Sequence, residues 1–245
     1  MLTLSPDRTR VHVAATDQPF KLHYGRSLPH LGRPGAVYAV CFRLSDSLPA
    51  TVASAWRRQR DEILATARQM GRPLSAAEQG ELCRLFSEIV DASLDSGSGQ
   101  CHLQRPYIAK IVRDALEYYD TEGYLLLNWV IMPNHVHAIV WPLPGQELDN
   151  ALHRLKSFTA HAANRALNST GAFWQEESYD HLVRDDGDLW HSIRYLDANP
   201  SKARLADRAW QDGVLMAADD GIRIRHDARS RVERAVRLWQ AELGV

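Results

Sequence analysis

The sequence predicts an α+β fold built on an antiparallel sheet. Three observations point there. Residues 36–44, AVYAVCFRL, have the Val, Tyr and Phe content of a strand. Two apolar runs at 124–131 and 135–141 are separated only by Met132-Pro133-Asn134, which reads as a β-hairpin with a three-residue connection. Segments of helical periodicity lie on either side of that hairpin.

Taken in order, residues 1–34 are rich in Pro, His, Arg and Gly and read as an extension or loop-like arm. After the strand at 36–44, residues 50–70 and 75–92 read as helices. In the second, Leu82, Leu85, Phe86, Ile89 and Val90 recur at helical spacing. DSGSGQ at 95–100 is a loop. Pro106 can start a helix, and Ile108, Ile111, Val112 and Leu116 follow on one face. Pro133 makes one continuous helix through the next segment costly, which favours the hairpin. Residues 148–168 form another helix, with Leu148, Leu152, Leu155 and Phe158 on one side. Residues 178–184 suit a short strand, and 187–198 a helix that Pro200 stops. The end of the chain is helical through Val232, Val236 and Leu238.

The strand–helix–strand–strand–helix–strand–helix order from 36 to 199 is that of a ferredoxin-like or RRM-like sandwich. Helices would cover one face of the antiparallel sheet and leave the other partly open for ligands. The expected division is an arm over 1–35, a main domain over 36–207 with a helical insertion at about 50–95, and a helical tail over 208–245.

Composition narrows the function. The chain has 245 residues, 45% hydrophobic and 24% charged, with a net charge of −1. That excludes a protein coated in positive charge but not a local phosphate-binding surface. Of the 29 basic residues only four are lysine, Lys21, Lys110, Lys156 and Lys202. No run of apolar residues is long enough to span a membrane, and no secretory signal is evident. Three widely spaced cysteines give no disulfide framework, so the expected location is the cytoplasm.

Chemistry concentrates in four places. His135 and His137, two apart on a strand, project from one face and can share a divalent ion, while Val136, Ala138 and Val140 face the core. Read alone, the pair is equally a turn cap and a surface aromatic. Tyr195 and Asn199 lie one helical turn apart, away from the Leu189, Ile193 and Leu196 stripe. That position suits a presented hydroxyl as well as a tyrosine covering a helix flank. Phe173-Trp174-Gln175 and Tyr179-Asp180-His181 form a compact aromatic, amide and imidazole cluster, which is either a site or an anchored strand. Lys156 is a phosphate partner or a solvated lysine. The Arg set of the tail, from Arg223 to Arg237, grips nucleic acid or solvates a helix.

On these residues the sequence resembles the HUH single-tyrosine transposases, and most of all their REP-associated branch. The matching text is WVIMPNHVHAIV at 129–140, LKS at 155–157, WQ and SYDHLVR within 174–184, and YLDANPSKA at 195–203. The resemblance spans roughly 36–207. It implies that His135 and His137 are the paired metal ligands of an HUH motif on a central strand, and that Tyr195 is the nucleophile. Asn199 then stands where related enzymes carry a glutamine completing the metal site. Tyr179 is the alternative nucleophile and His181 a neighbour of the site. Lys156, Arg194 and Lys202 are the expected DNA contacts.

The implied activity is metal-dependent nicking and joining of hairpin-bearing, palindromic single-stranded DNA through a covalent 5′-phosphotyrosine. The ion is Mg²⁺ or Mn²⁺, two imidazoles tilting the balance to Mn²⁺. Relatives act as monomers or dimers, so a homodimer fits. The alternative is a catalytically silent nucleic-acid-binding module or regulator. A two-histidine phosphodiesterase ranks last, because it needs two separated H-x-Thr/Ser motifs and only H-V-H-A is present. The long N-terminal arm and the helical insertion depart from the family pattern.

Overall fold

The computed structural model describes residues 1–14, 21–24, 29–72, 74–176, 178–205 and 210–244. The central five-stranded antiparallel sheet is built from β5 (Tyr38–Arg43), β6 (Tyr124–Ile131), β7 (His135–Pro142), β8 (Tyr179–Leu182) and β9 (Trp210–Gly213), in the order β8-β5-β7-β6-β9. Two helices, α4 (Pro106–Tyr119) and α5 (Leu148–Leu167), join β5 to β6 and β7 to β8. Without β9 this is the βαββαβ arrangement of a split βαβ fold, and β7 lies at its centre.

Strand parity organises the rest. On one face, Tyr38, Val40 and Phe42 of β5 and Val136, Ala138 and Val140 of β7 join a core with Ile108 and Val112 of α4 and Leu152 and Leu155 of α5. The other face carries Leu125, Leu127, Val130, Ile139 and Trp141. It is more thoroughly covered than the expected half-open face. Helix α6 (Asp186–Lys202) lays Leu189, Ile193 and Leu196 on it, and α7 (Arg229–Leu243) adds Val232, Val236 and Trp239. Both faces of β6 and β7 are therefore buried, which is why these strands read as continuous apolar runs.

The hairpin connection is three residues, as predicted. Met132 N–H donates to the His135 carbonyl at 2.9 Å, and Leu44 N–H takes the Asn134 carbonyl at 2.8 Å. Helix α4 has Pro106 in its first turn, where no N–H is needed.

Three local expectations differ. The first residues are not loop-like: β1 (Leu2–Leu4) and β2 (Arg10–Val13) pair with β10 (Leu215–Ala218) and β11 (Gly221–Ile224) in a four-stranded sheet. Leu2 and Val11 are buried there. β3 (Lys21–Tyr24) and β4 (Pro29–Gly32) form a separate ladder. Pro200 does not stop α6, which runs on to Lys202; the missing N–H falls in the last turns, where one lost intrahelical bond is tolerated. Phe158 and Leu238 share a helical face with core residues in sequence but are exposed, because the adjacent Thr159 and Trp239 take the inward positions. The boundary drawn at 207 lies outside the described residues.

The insertion after β5 consists of α1 (Ala50–Gln69), α2 (Ala76–Leu85), a π-helical turn (Phe86–Asp91) and α3 (Ala92–Asp95). Trp56, Leu64, Leu82, Leu85, Phe86, Val90 and Leu94 form its own core, which closes on Cys41 of β5. It covers the β5 and β8 part of the sheet, on the same side as α6. Among the described residues no helix is long and apolar enough to cross a membrane.

Trp239 stacks on Trp141 at 6.4 Å between ring centroids and donates its indole N–H to the Pro142 carbonyl at 3.0 Å. The C-terminal helix is thereby part of the main core. Trp239→Ala is expected to destabilise the protein by about 3–5 kcal/mol, read as a lowered urea midpoint. An unchanged midpoint would show α7 to be a dispensable tail.

Candidate functional site

His135 and His137 face the α6 side of the sheet, as the alternation of β7 requires. Both are buried, with ring centroids 4.8 Å apart and planes nearly perpendicular. Each leaves Nε2 buried without a hydrogen-bond partner. On His135 the other nitrogen is accounted for: Nδ1 lies 2.8 Å from the Asn134 side-chain oxygen. An amide oxygen only accepts, so His135 carries its proton on Nδ1 and offers a lone pair at Nε2. The Asn134 amide nitrogen in turn donates to the carbonyls of Leu94 and Ser98 at 3.2 and 2.9 Å. One asparagine thus orients the histidine and ties the hairpin to the insertion.

Burial holds both imidazoles neutral. It pushes His135 well below the usual histidine range, with His137 adding to the effect. Burial, followed by the Lys202 ammonium, lowers His137 to about 3. Two neutral imidazoles with orphaned lone pairs fit a metal ion as its ligands.

Tyr195 approaches from α6, its ring centroid 5.3 Å from that of His137. Lys202 Nζ lies 4.7 Å over the tyrosine ring. The Asn199 side chain acts on the phenol, as the helical spacing suggested, but the hydroxyl's own proton goes elsewhere. The hydroxyl donates to Asp91 Oδ2 at 2.7 Å. Asn199 is fully buried; its Nδ2 donates to the Tyr195 carbonyl at 3.0 Å, while its Oδ1 has no partner. Burial and the Asp91 charge keep the phenol well above the ordinary tyrosine range. Burial is also the main reason that Asp91 rises to about 7, against the pull of the Tyr195 hydrogen bond and Lys202.

Asp91 and Cys41 escaped the sequence reading. Cys41 is the register partner of His137 across β5 and β7, so both project from the same face. One ligand atom each from Cys41, Asp91 and His137 lies within 4.8 Å of the others. Asp91 was hidden for a physical reason. A regular α-helix puts it ~180° around the axis from Leu82, on the polar side. The wider π turn lags behind that rotation and brings Asp91 inward beside Val90. The only available signal was an acid directly after an apolar stripe.

Of the other expected residues, Tyr179 and His181 line a cleft of about 340 Å³, together with Phe86, Asp91, His137 and Tyr195. Tyr179 stacks on Phe86 at 3.9 Å. His181 is held by both oxygens of Asp188 at 2.9 Å, which makes it part of the wall. Arg194 is exposed, 5.7 Å over Trp190. Lys156 sits on α5, on the opposite side of the sheet, and donates to the Glu176 carbonyl and Ser178 Oγ. Among the tail arginines, Arg223, Arg225, Arg231 and Arg237 pair with Asp220, Asp212, Asp120 and Glu233.

Residues 103–185 match the family model described as Transposase IS200 like. The match takes in His135, His137, Tyr179 and His181 and ends before Tyr195. A REP-associated tyrosine transposase of Escherichia coli (strain K12) is 28% identical over 105 residues, 42% of this chain and 56% of that protein. The match therefore spans little more than half of that relative's length. A solved structure of a REP-associated tyrosine transposase bound to a REP hairpin aligns at a TM-score of 0.40 and 12% identity, covering 79% of this chain and 76% of that one. The chain is thus similar to REP-associated tyrosine transposases.

The two imidazoles set the pH response of the metal-free protein. Each takes a proton near pH 6.5 when unfolded but not in the folded state, so stability is lost as pH falls below that value. Asp91 works the other way: it keeps a proton up to about 7 when folded and releases it near 3.8 when unfolded, so its share of stability is lost as pH rises. Two imidazoles outweigh one carboxyl. In EDTA, the melting temperature is expected to fall between pH 7 and pH 5, by the equivalent of about 1.4 kcal/mol per pH unit for each net proton. His137→Gln should flatten that slope; an equally steep slope would place the titration elsewhere.

Proposed function

We propose that this chain, similar over residues 103–185 to IS200-like transposases, is a metal-dependent single-stranded DNA nicking and joining enzyme. Its substrate would be hairpin-bearing, palindromic DNA, cut through a covalent 5′-phosphotyrosine. One observation carries the reading. Two buried imidazole nitrogens without partners face the tyrosine of a different element, across 5.3 Å of ring contact with His137.

His135 and His137 would hold Mg²⁺ or Mn²⁺, with Asn199 Oδ1, buried and unpartnered, as a third donor. When bound, the ion supplies electrostatic stabilisation of the charge that builds on the scissile phosphate. The chain's own residues do the rest. Asn134 locks the tautomer that leaves His135 Nε2 available. Tyr195 attacks phosphorus; the P–O3′ bond breaks, the departing oxygen takes a proton from solvent to leave a 3′-hydroxyl on one strand, and a 5′-phosphotyrosine stays on the protein. The phenolic proton already rests in a hydrogen bond to the Asp91 carboxylate, which gives it a resident acceptor. Lys202 over the ring favours the developing phenolate. Attack by another 3′-hydroxyl on the phosphotyrosine reverses the step and joins strands without a nucleotide cofactor. Arg194 and Lys202 border the α6 side and suit the DNA backbone. Lys156, behind the sheet, would serve only DNA that wraps around the β8 edge. A cytoplasmic location is in keeping with a DNA substrate.

The test uses labelled hairpin-bearing single-stranded DNA with Mn²⁺ and a denaturing gel. The wild type is expected to give a protein–DNA adduct that EDTA abolishes. Tyr195→Phe, and separately His135→Ala, should reduce the adduct to background, while Tyr179→Phe retains it. An adduct from Tyr195→Phe that vanishes in Tyr179→Phe would transfer the nucleophile to Tyr179. DNA binding in EDTA with no adduct under any condition would leave a silent binding module.

A further inference from the structure

The helical insertion departs from the pattern of the family the sequence resembles, yet it ends against the histidine pair. Asp91 closes its π turn and is 7% exposed. Its two oxygens have different surroundings. Oδ2 accepts the Tyr195 hydroxyl at 2.7 Å. Oδ1 is buried with no hydrogen-bond partner and lies 4.0 Å from His137 Nε2, which also has none. In the His137 tautomer with its proton on Nδ1, the one that ligation through Nε2 requires, and with Asp91 ionised, these two atoms face each other as acceptors. Two buried acceptors 4.0 Å apart need a positive centre between them. An ion with ligand bonds of about 2.1 Å fits between donors up to ~4.2 Å apart.

We infer that Asp91 is a further ligand of the ion held by His137, and that its carboxylate bridges this ion and the Tyr195 hydroxyl. The insertion is then a component of the metal site. One oxygen fixes the cation and the other fixes the phenol, so the nucleophile is set at a defined place relative to the metal before DNA arrives. A carboxylate beside imidazole also suits Mg²⁺ or Mn²⁺, which favour oxygen donors. Cys41, the third member of the cluster, is pushed by burial toward the neutral thiol, a poor ligand for such ions. The inference rests on the reading that the histidines hold a divalent ion.

Binding of Mn²⁺ to the full chain without DNA, followed by titration calorimetry and by loss of the free-ion EPR signal, separates the two readings. Asp91→Asn keeps the shape and the ability to accept from Tyr195 but removes the charged ligand. It is expected to weaken Mn²⁺ binding by about tenfold or more, with the melting temperature of the metal-free protein little changed. Asp91→Glu, which keeps a carboxylate, should restore much of that loss, and it decides the matter should the Asn variant fold poorly. Wild-type affinity in Asp91→Asn alongside abolished binding in His137→Ala would overturn the Asp91 assignment alone. Wild-type affinity in His137→Ala would overturn the metal reading of the histidines, and the Asp91 assignment with it.

Discussion

Everything at the site depends on β7 being buried on both faces. Its even-numbered residues, Val136, Ala138 and Val140, belong to the core under α4 and α5, and its odd-numbered residues belong to the side under α6. A strand in that position has no register freedom, since a slip of one residue would send two imidazoles into an aliphatic layer. The same burial keeps His135 and His137 uncharged and leaves their Nε2 atoms dry. A polar group sequestered in this way is costly unless something compensates it. The compensation that the donor set best suits is a cation.

The second constraint is the seam between α6 and the insertion. Neither half holds a complete site. The sheet brings two imidazoles and a thiol, α6 brings a phenol and an amide, and the π turn brings a carboxylate. Asn134 stitches the sheet to the insertion, since its amide oxygen holds His135 while its amide nitrogen holds α3 at Leu94 and the loop after it at Ser98. The cleft along this seam is lined by Tyr179 stacked on Phe86 and by His181 clamped by Asp188. The stacked rings make this wall apolar, and the clamped histidine gives it rigidity.

Charge is distributed to match. The tail arginines that a sequence reader weighs as a DNA grip are largely engaged with neighbouring acids, Arg223 with Asp220, Arg225 with Asp212 and Arg237 with Glu233. Exposed pairs of this kind contribute little stability, and they neutralise the face they occupy. Cations placed toward the cleft are fewer. Lys202 acts on both His137 and Tyr195, which makes it the basic residue most closely coupled to the site.

The sequence by itself determined the βαββαβ core, the three-residue hairpin and the shared face of His135 and His137. These follow from periodicity, proline chemistry and strand alternation, all local properties. It also brought Tyr195 to a helix flank clear of the core stripe. Tertiary structure decided the remainder. The phenol gains Asp91 as an acceptor that no local spacing shows, because a π turn rephases a helix that would otherwise leave that acid polar outward. The first strands escape a propensity reading because they are short and gain their stability from β11, more than 200 residues away in sequence. Lys156 and Lys202 look alike as text, and only the sheet between them separates one from the histidines and places the other beside them. Such assignments depend on which surfaces exclude water together, and no single segment carries that information.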